Sequence, residues 1–102
     1  MLVAVSFYFP SYDKDGDQIN PYTGSQFISE LADRMNGATI FPARGWWRDS
    51  DGDMRDEPVV VVNLAVPEEE VESLVELIHE RLKGEFRQEA VYCEVGGVPS
   101  IR

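Results

Sequence analysis

The chain has 102 residues, 43% of them hydrophobic, which suits one packed domain and is too apolar for a disordered segment. Its formal net charge is −10 and its pI about 4.3, with no basic stripe. That composition argues against general binding to nucleic-acid backbones and to anionic membrane surfaces. Cys93 is the only cysteine, so there is no intrachain disulfide and no cysteine zinc cluster. No apolar run reaches membrane-spanning length, and the start "MLVAVSFYFP" lacks a basic region and a cleavage site. The expected location is cytoplasmic. Seven arginines against two lysines in so acidic a chain fit a high-salt cytoplasm; a GC-rich genome gives the same bias.

Leu2 to Phe9 is rich in β-branched and aromatic residues and reads as a first strand. Residues 10–22 hold two prolines, Gly16 and three aspartates, and read as a loop. Thr23 and Gln26 fit a capping box, and Phe27, Ile28, Leu31, Ala32 and Met35 recur at helical spacing before Gly37. Residues 38–48 read as a second strand, and "DSDGDM" supplies the chemistry of a hairpin turn. Pro58 to Val66 is apolar throughout and reads as a central strand. Pro67 and three glutamates open a second helix, whose stripe is Val71, Leu74, Val75, Ile78 and Leu82, with Gly84 as its stop. Gln88 to Val95 reads as the last strand and residues 96–102 as a tail.

This order predicts an α+β fold, a ferredoxin-like β-α-β-β-α-β sandwich in one domain over residues 1–102. Its four-stranded antiparallel sheet would carry two helices on one face. The alternation assigns Val3, Val5, Phe7 and Phe9 to the helix side, with Val91, Cys93 and Val95. Tyr8, Tyr92 and one of Trp46 or Trp47 are left on the uncovered side. An apolar patch there predicts a homodimer or higher homo-oligomer through the sheet face, or a ligand groove.

The stretch from Gly45 to Val91 resembles an uncharacterised family of small bacterial proteins known only as a domain of unknown function. The shared features are a G-x-W-R-x-x-x-G hairpin, a glutamate soon after it and an F-x-Q-E-x-V segment opening the last strand. Trp47, Arg48, Glu57, Phe86, Gln88 and Glu89 match that pattern, while Trp46 and the density of aspartates are additions. The resemblance implies an α+β fold and brings no activity with it.

Two stretches of the form Asp-x-Asp-Gly-Asp, at 13–17 and 49–53, invite a calcium reading. An EF-hand loop needs glycine at its sixth position and glutamate at its twelfth. Counting from Asp13 these are Gln18 and Gly24; from Asp49 they are Met54 and Val60. Both stretches read as polar turns, with no metal site and no cofactor implied. Arg48 and Glu57 could meet across the hairpin as an ion pair. Alternatively Arg44 and Arg48, beside Trp46 or Trp47, hold a small anionic or planar ligand. Gln88 and Glu89 either satisfy an edge or bring a carboxylate to the same end of the sheet. His79 fits a solvated helix face and Cys93 a core thiol.

The leading expectation is a non-enzymatic, homo-oligomeric ligand-binding or regulatory module, with the ligand at Arg44, Trp46, Trp47, Arg48, Glu57, Gln88 and Glu89. The alternatives are a small dimeric α+β-barrel-type enzyme, with Tyr8, Tyr92, Glu57 and Glu89 as its reactive candidates, and an interaction protein using the apolar sheet face.

Overall fold

The computed structural model describes all 102 residues. In chain order it forms β1 (Leu2–Phe9), α1 (Pro21–Arg34), β2 (Thr39–Arg48), β3 (Met54–Pro67), α2 (Val71–Gly84), β4 (Tyr92–Val95) and β5 (Val98–Ile101). A 3-10 turn over Glu68–Glu70 leads into α2. The sheet order is β2-β3-β1-β4-β5, and every neighbouring pair is antiparallel. No helix is long and apolar enough to cross a membrane.

The sheet has five strands where four are expected from the sequence. Residues 96–102 are not a tail, because Gly96 and Gly97 turn the chain back at φ of 58° and 82°. Positive φ at both central residues is what a two-residue hairpin requires, and only glycine takes it freely. Val98 then pairs with Val95, and Ile101 with Tyr92. The last strand before this turn is also shorter than expected, since Gln88 to Val91 lie outside it. Both outer strands, β2 and β5, carry a proline within their span: Pro42 and Pro99.

The helices also start and stop by other devices than expected. Asn20, not Thr23, caps α1: its side-chain oxygen accepts from the Tyr22 amide at 2.9 Å, and Pro21 takes the first helical position. Asn36, at φ 60°, takes the left-handed position after α1, one residue before Gly37. Gly84 remains helical, and the chain leaves α2 through Arg87 at φ 52°.

Both helices pack on the side of the sheet that carries Val5, Phe7 and Phe9. The periodic apolar residues explain this directly. Phe27, Ile28 and Leu31 of α1, and Leu74, Val75, Ile78 and Leu82 of α2, are buried against Val62, Leu64 and Val66 of β3. Phe9, Phe27 and Phe86 form an aromatic knot, with ring centroids 4.9 to 6.2 Å apart. Gly24 lets α1 approach, since a Cβ there would sit 2.8 Å from the Phe9 ring.

His79 is buried rather than solvated. It lies four residues after Val75 and three before Leu82, so the buried arc of α2 is wider than its apolar stripe. Its Nδ1 donates to the Val75 carbonyl at 2.7 Å, and its Nε2 is enclosed without a partner.

Candidate functional site

The pairing register decides which side chains share the uncovered face. Gly45 stands opposite Glu57, Ala43 opposite Val59, Phe41 opposite Val61 and Thr39 opposite Asn63. Across β1, Tyr8 stands opposite Val61 and Ser6 opposite Asn63 and Glu94. Because side chains alternate, these residues line the face that the helices do not touch. The face is thus built in rows. One is aromatic, from Tyr92 through Tyr8 and Val61 to Phe41. The next is polar, holding Glu94, Ser6, Asn63 and Thr39.

The Tyr8 and Tyr92 rings stack at 4.6 Å with planes 17° apart. Tyr92 donates its hydroxyl to Glu94 at 3.1 Å. Its phenol pKa is raised, first by desolvation and then by that carboxylate. Ser6 Oγ donates to Asn63 Oδ1 at 2.6 Å. Toward the other end, the Trp47 indole folds back over Gly45, whose missing side chain makes the room. A Cβ on Gly45 would lie 2.8 Å from the indole and 3.2 Å from Val59.

Glu57 is the unusual group. It is 6% exposed and no cation pairs with it. Its Oε2 accepts from the backbone amides of Ser11 and Tyr12, each at 3.1 Å. Ser11 also ties its hydroxyl to the Pro58 carbonyl. These contacts arise where β1 has ended at Phe9 while β3 runs on toward Met54. The carboxylate therefore replaces ladder hydrogen bonds that the shorter strand no longer makes. Burial pushes its pKa up, and the two amides pull part of the way back.

The residues singled out from the sequence do not form one cluster. Trp47 and Glu57 share the open face. Arg44, Trp46 and Arg48 alternate onto the opposite side of the hairpin. Arg44 is held by Asp56 at 2.8 and 3.2 Å, and Arg48 donates to the Gly52 carbonyl at 2.7 Å. Met54, not Glu57, stands opposite Arg48, so the Arg48–Glu57 ion pair does not form. Gln88 donates to the Tyr12 and Phe86 carbonyls, fastening the loop after β1 to the loop after α2. Glu89 is exposed in that second loop. Ser6, Phe41, Asn63 and Glu94 were missed, because only the register joins them.

The two aspartate loops are near copies of one turn. Asp13 Oδ1 accepts from the amides of residues 15 and 17, and Asp49 Oδ1 from those of 51 and 53. Gly16 and Gly52 both sit at φ 84°. These are three-residue hairpin loops with a left-handed glycine. Their first aspartate serves the backbone, and Asp49 is further engaged by Arg55 at 2.7 Å, which holds its pKa below the usual range. No group of three or more His, Cys, Asp or Glu is placed to hold a metal ion. Two clefts lie away from Glu57. One of about 210 Å³ lies between Asn20, Thr23, Phe86 and Arg87, and one of about 410 Å³ between α2 and the β4–β5 hairpin. Cys93 is buried, and burial pushes its thiol pKa up.

Residues 5–96 match a family described as protein of unknown function (DUF3574). The chain belongs to this family. No curated protein matches it in sequence. Among solved structures it is similar to a phage SAM lyase in complex with S-methyl-5'-thioadenosine. That likeness has a TM-score of 0.74 at 15% identity, over 99% of this chain and 87% of the other. The apo state of a phage SAM lyase gives a TM-score of 0.64 at 15% identity, over 98% and 86%. At this identity the likeness is one of fold. It overturns the expectation of a non-enzymatic binding module, because these two structures, which share its fold, are of an enzyme.

Proposed function

We propose that this protein is a small-molecule enzyme whose site lies on the open sheet face, with Glu57 as its working carboxylate. Its substrate would be an adenosyl sulfonium or thioether, the class to which the ligand of the phage lyase belongs. The observation that carries this reading is Glu57 itself: a buried carboxylate of raised pKa, without a cation, on the uncovered face of the shared fold. Toward such a substrate the group has two uses. Ionised, it attracts a sulfonium; with its raised pKa, it accepts a proton nearer neutral pH than an ordinary carboxylate does. Stability alone would favour giving such a group a cation, so its lack of one is the kind of local inconsistency found at working sites.

Within the same proposal, the strand order is a ferredoxin-like sandwich lengthened by β5, in a single domain. A second copy of the chain covers the part of the open face that a ligand leaves free. Support for this comes from Trp47 and Ile101, 42 and 71% exposed at the two ends of this face.

The test is incubation of the protein with S-adenosylmethionine and chromatographic detection of S-methyl-5'-thioadenosine. Turnover is expected, and it should fall about 100-fold or more in Glu57→Gln. Absence of both turnover and any thermal shift with either compound would overturn the reading.

A further inference from the structure

We propose that Tyr8 and Phe41, with Val61 between them, form a subsite for an organic onium cation, a sulfonium or a quaternary ammonium. The inference deepens the reading above. It rests on that reading for the reaction, while the subsite itself rests on register and charge.

The geometry comes first. Tyr8 and Phe41 each stand opposite Val61, on its two sides. With neighbouring strands about 4.8 Å apart, the two rings rise from positions roughly 10 Å apart. A methylated cation resting above Val61 would then lie about 5 Å from each ring, within the roughly 6 Å reach of cation–π attraction. Tyr8 is 39% and Phe41 43% exposed, while Val61 beneath is buried. Tyr8 cannot tilt freely away, because Tyr92 stacks on its far side.

Charge then selects the occupant. The open face carries the carboxylates of Glu57 and Glu94. Its guanidinium, that of Arg55, is taken by Asp49 at 2.7 Å. Arg44 and Arg48 sit on the opposite side of the hairpin and are engaged there. An anion would meet carboxylates and ring faces, which both repel it; a compact, weakly hydrated cation meets the reverse. Beside the aromatic row, Asn63 uses its Oδ1 on Ser6, and its amide NH2 has no protein partner. It can donate to a polar substituent borne by the onium group.

The experiment compares S-adenosylmethionine with S-adenosylhomocysteine, which lacks only the methyl group and the charge at sulfur. Calorimetry is run in the Glu57→Gln background, where turnover is suppressed, on the otherwise unchanged chain, Tyr8→Leu, Phe41→Leu and the ring-preserving Phe41→Tyr, with circular dichroism to confirm folding. Tyr8→Leu and Phe41→Leu should weaken the cation about 5- to 30-fold and the neutral thioether less than about twofold, with Phe41→Tyr near the otherwise unchanged chain. Equal weakening of both ligands, or of neither, would overturn the subsite. If neither adenosyl compound binds the wild type, tetramethylammonium is titrated by NMR. Shifts confined to the Tyr8 and Phe41 rings would uphold the subsite while the adenosyl reading fails. No shift there would overturn the subsite as well.

Discussion

The two faces of the sheet are built on opposite principles. The helix-covered face is apolar and dry: Val5, Phe7, Val62 and Val66 are fully buried, and Leu64 nearly so. The uncovered face, on the same strands, holds stacked tyrosines, a serine–asparagine hydrogen bond and a buried carboxylate. The first face holds the fold together through area removed from water. The second gives up apolar burial for groups that must each find a partner, and Glu57 finds only backbone amides. Apolar burial and polar pairing are thus divided between the two sides of one sheet, only a side chain's length apart.

The comparison breaks most clearly on the covered side. Ile78→Ala removes a fully buried side chain beneath α2. It should cost about 2–5 kcal/mol in urea unfolding while leaving ligand affinity per folded molecule unchanged. A loss of affinity with little loss of stability would mean that the two faces are coupled.

Glu57 tests the open side with a smaller effect. Glu57→Ala strands the Ser11 and Tyr12 amides and should cost about 1–3 kcal/mol. Glu57→Gln keeps an acceptor for both and should cost less. The pair also gives a pH test. The folded carboxyl binds its proton more tightly than the unfolded one, since its pKa is raised from 4.5. Glu57 therefore favours the fold most below its unfolded pKa, and this contribution is lost as pH rises through the folded pKa. Above that window the wild type should lose stability relative to Glu57→Gln; a parallel pair of pH profiles would contradict the assigned burial effect.

The smallest effect belongs to Gly45→Ala. The new methyl group displaces the Trp47 indole from above Val59, so tryptophan emission should shift to longer wavelength with less than about 1 kcal/mol lost. Unchanged emission would show that the indole does not rest there.

How much of this was legible beforehand follows from how far apart in sequence each determinant lies. The helix stripes, the first three strands and the sidedness of β1 come from local periods, which a single stretch of chain reveals. His79 was misread because one polar residue inside an apolar arc looks like the arc's boundary. The β5 strand was missed although its signal was present: two adjacent glycines between valines are hairpin chemistry. The open face was the least legible. Glu57 is satisfied by amides 45 and 46 positions away, and Tyr8 meets Phe41 only through a shared neighbour on a third strand. Arg44 and Trp47 are close in sequence yet alternate to opposite sides, so proximity along the hairpin misled where parity would have warned.

The prolines within β2 and β5 have a consequence for how molecules of this protein meet. The sheet has two free margins, and each is interrupted by a residue that cannot donate a backbone hydrogen bond. A strand from another molecule laid along either margin would lose a ladder bond partway, so growth into a shared, continuous sheet is discouraged at both ends. Self-association is steered away from the borders, and with it the route to open-ended stacking. What the margins leave open to a second copy is the breadth of the sheet rather than its borders.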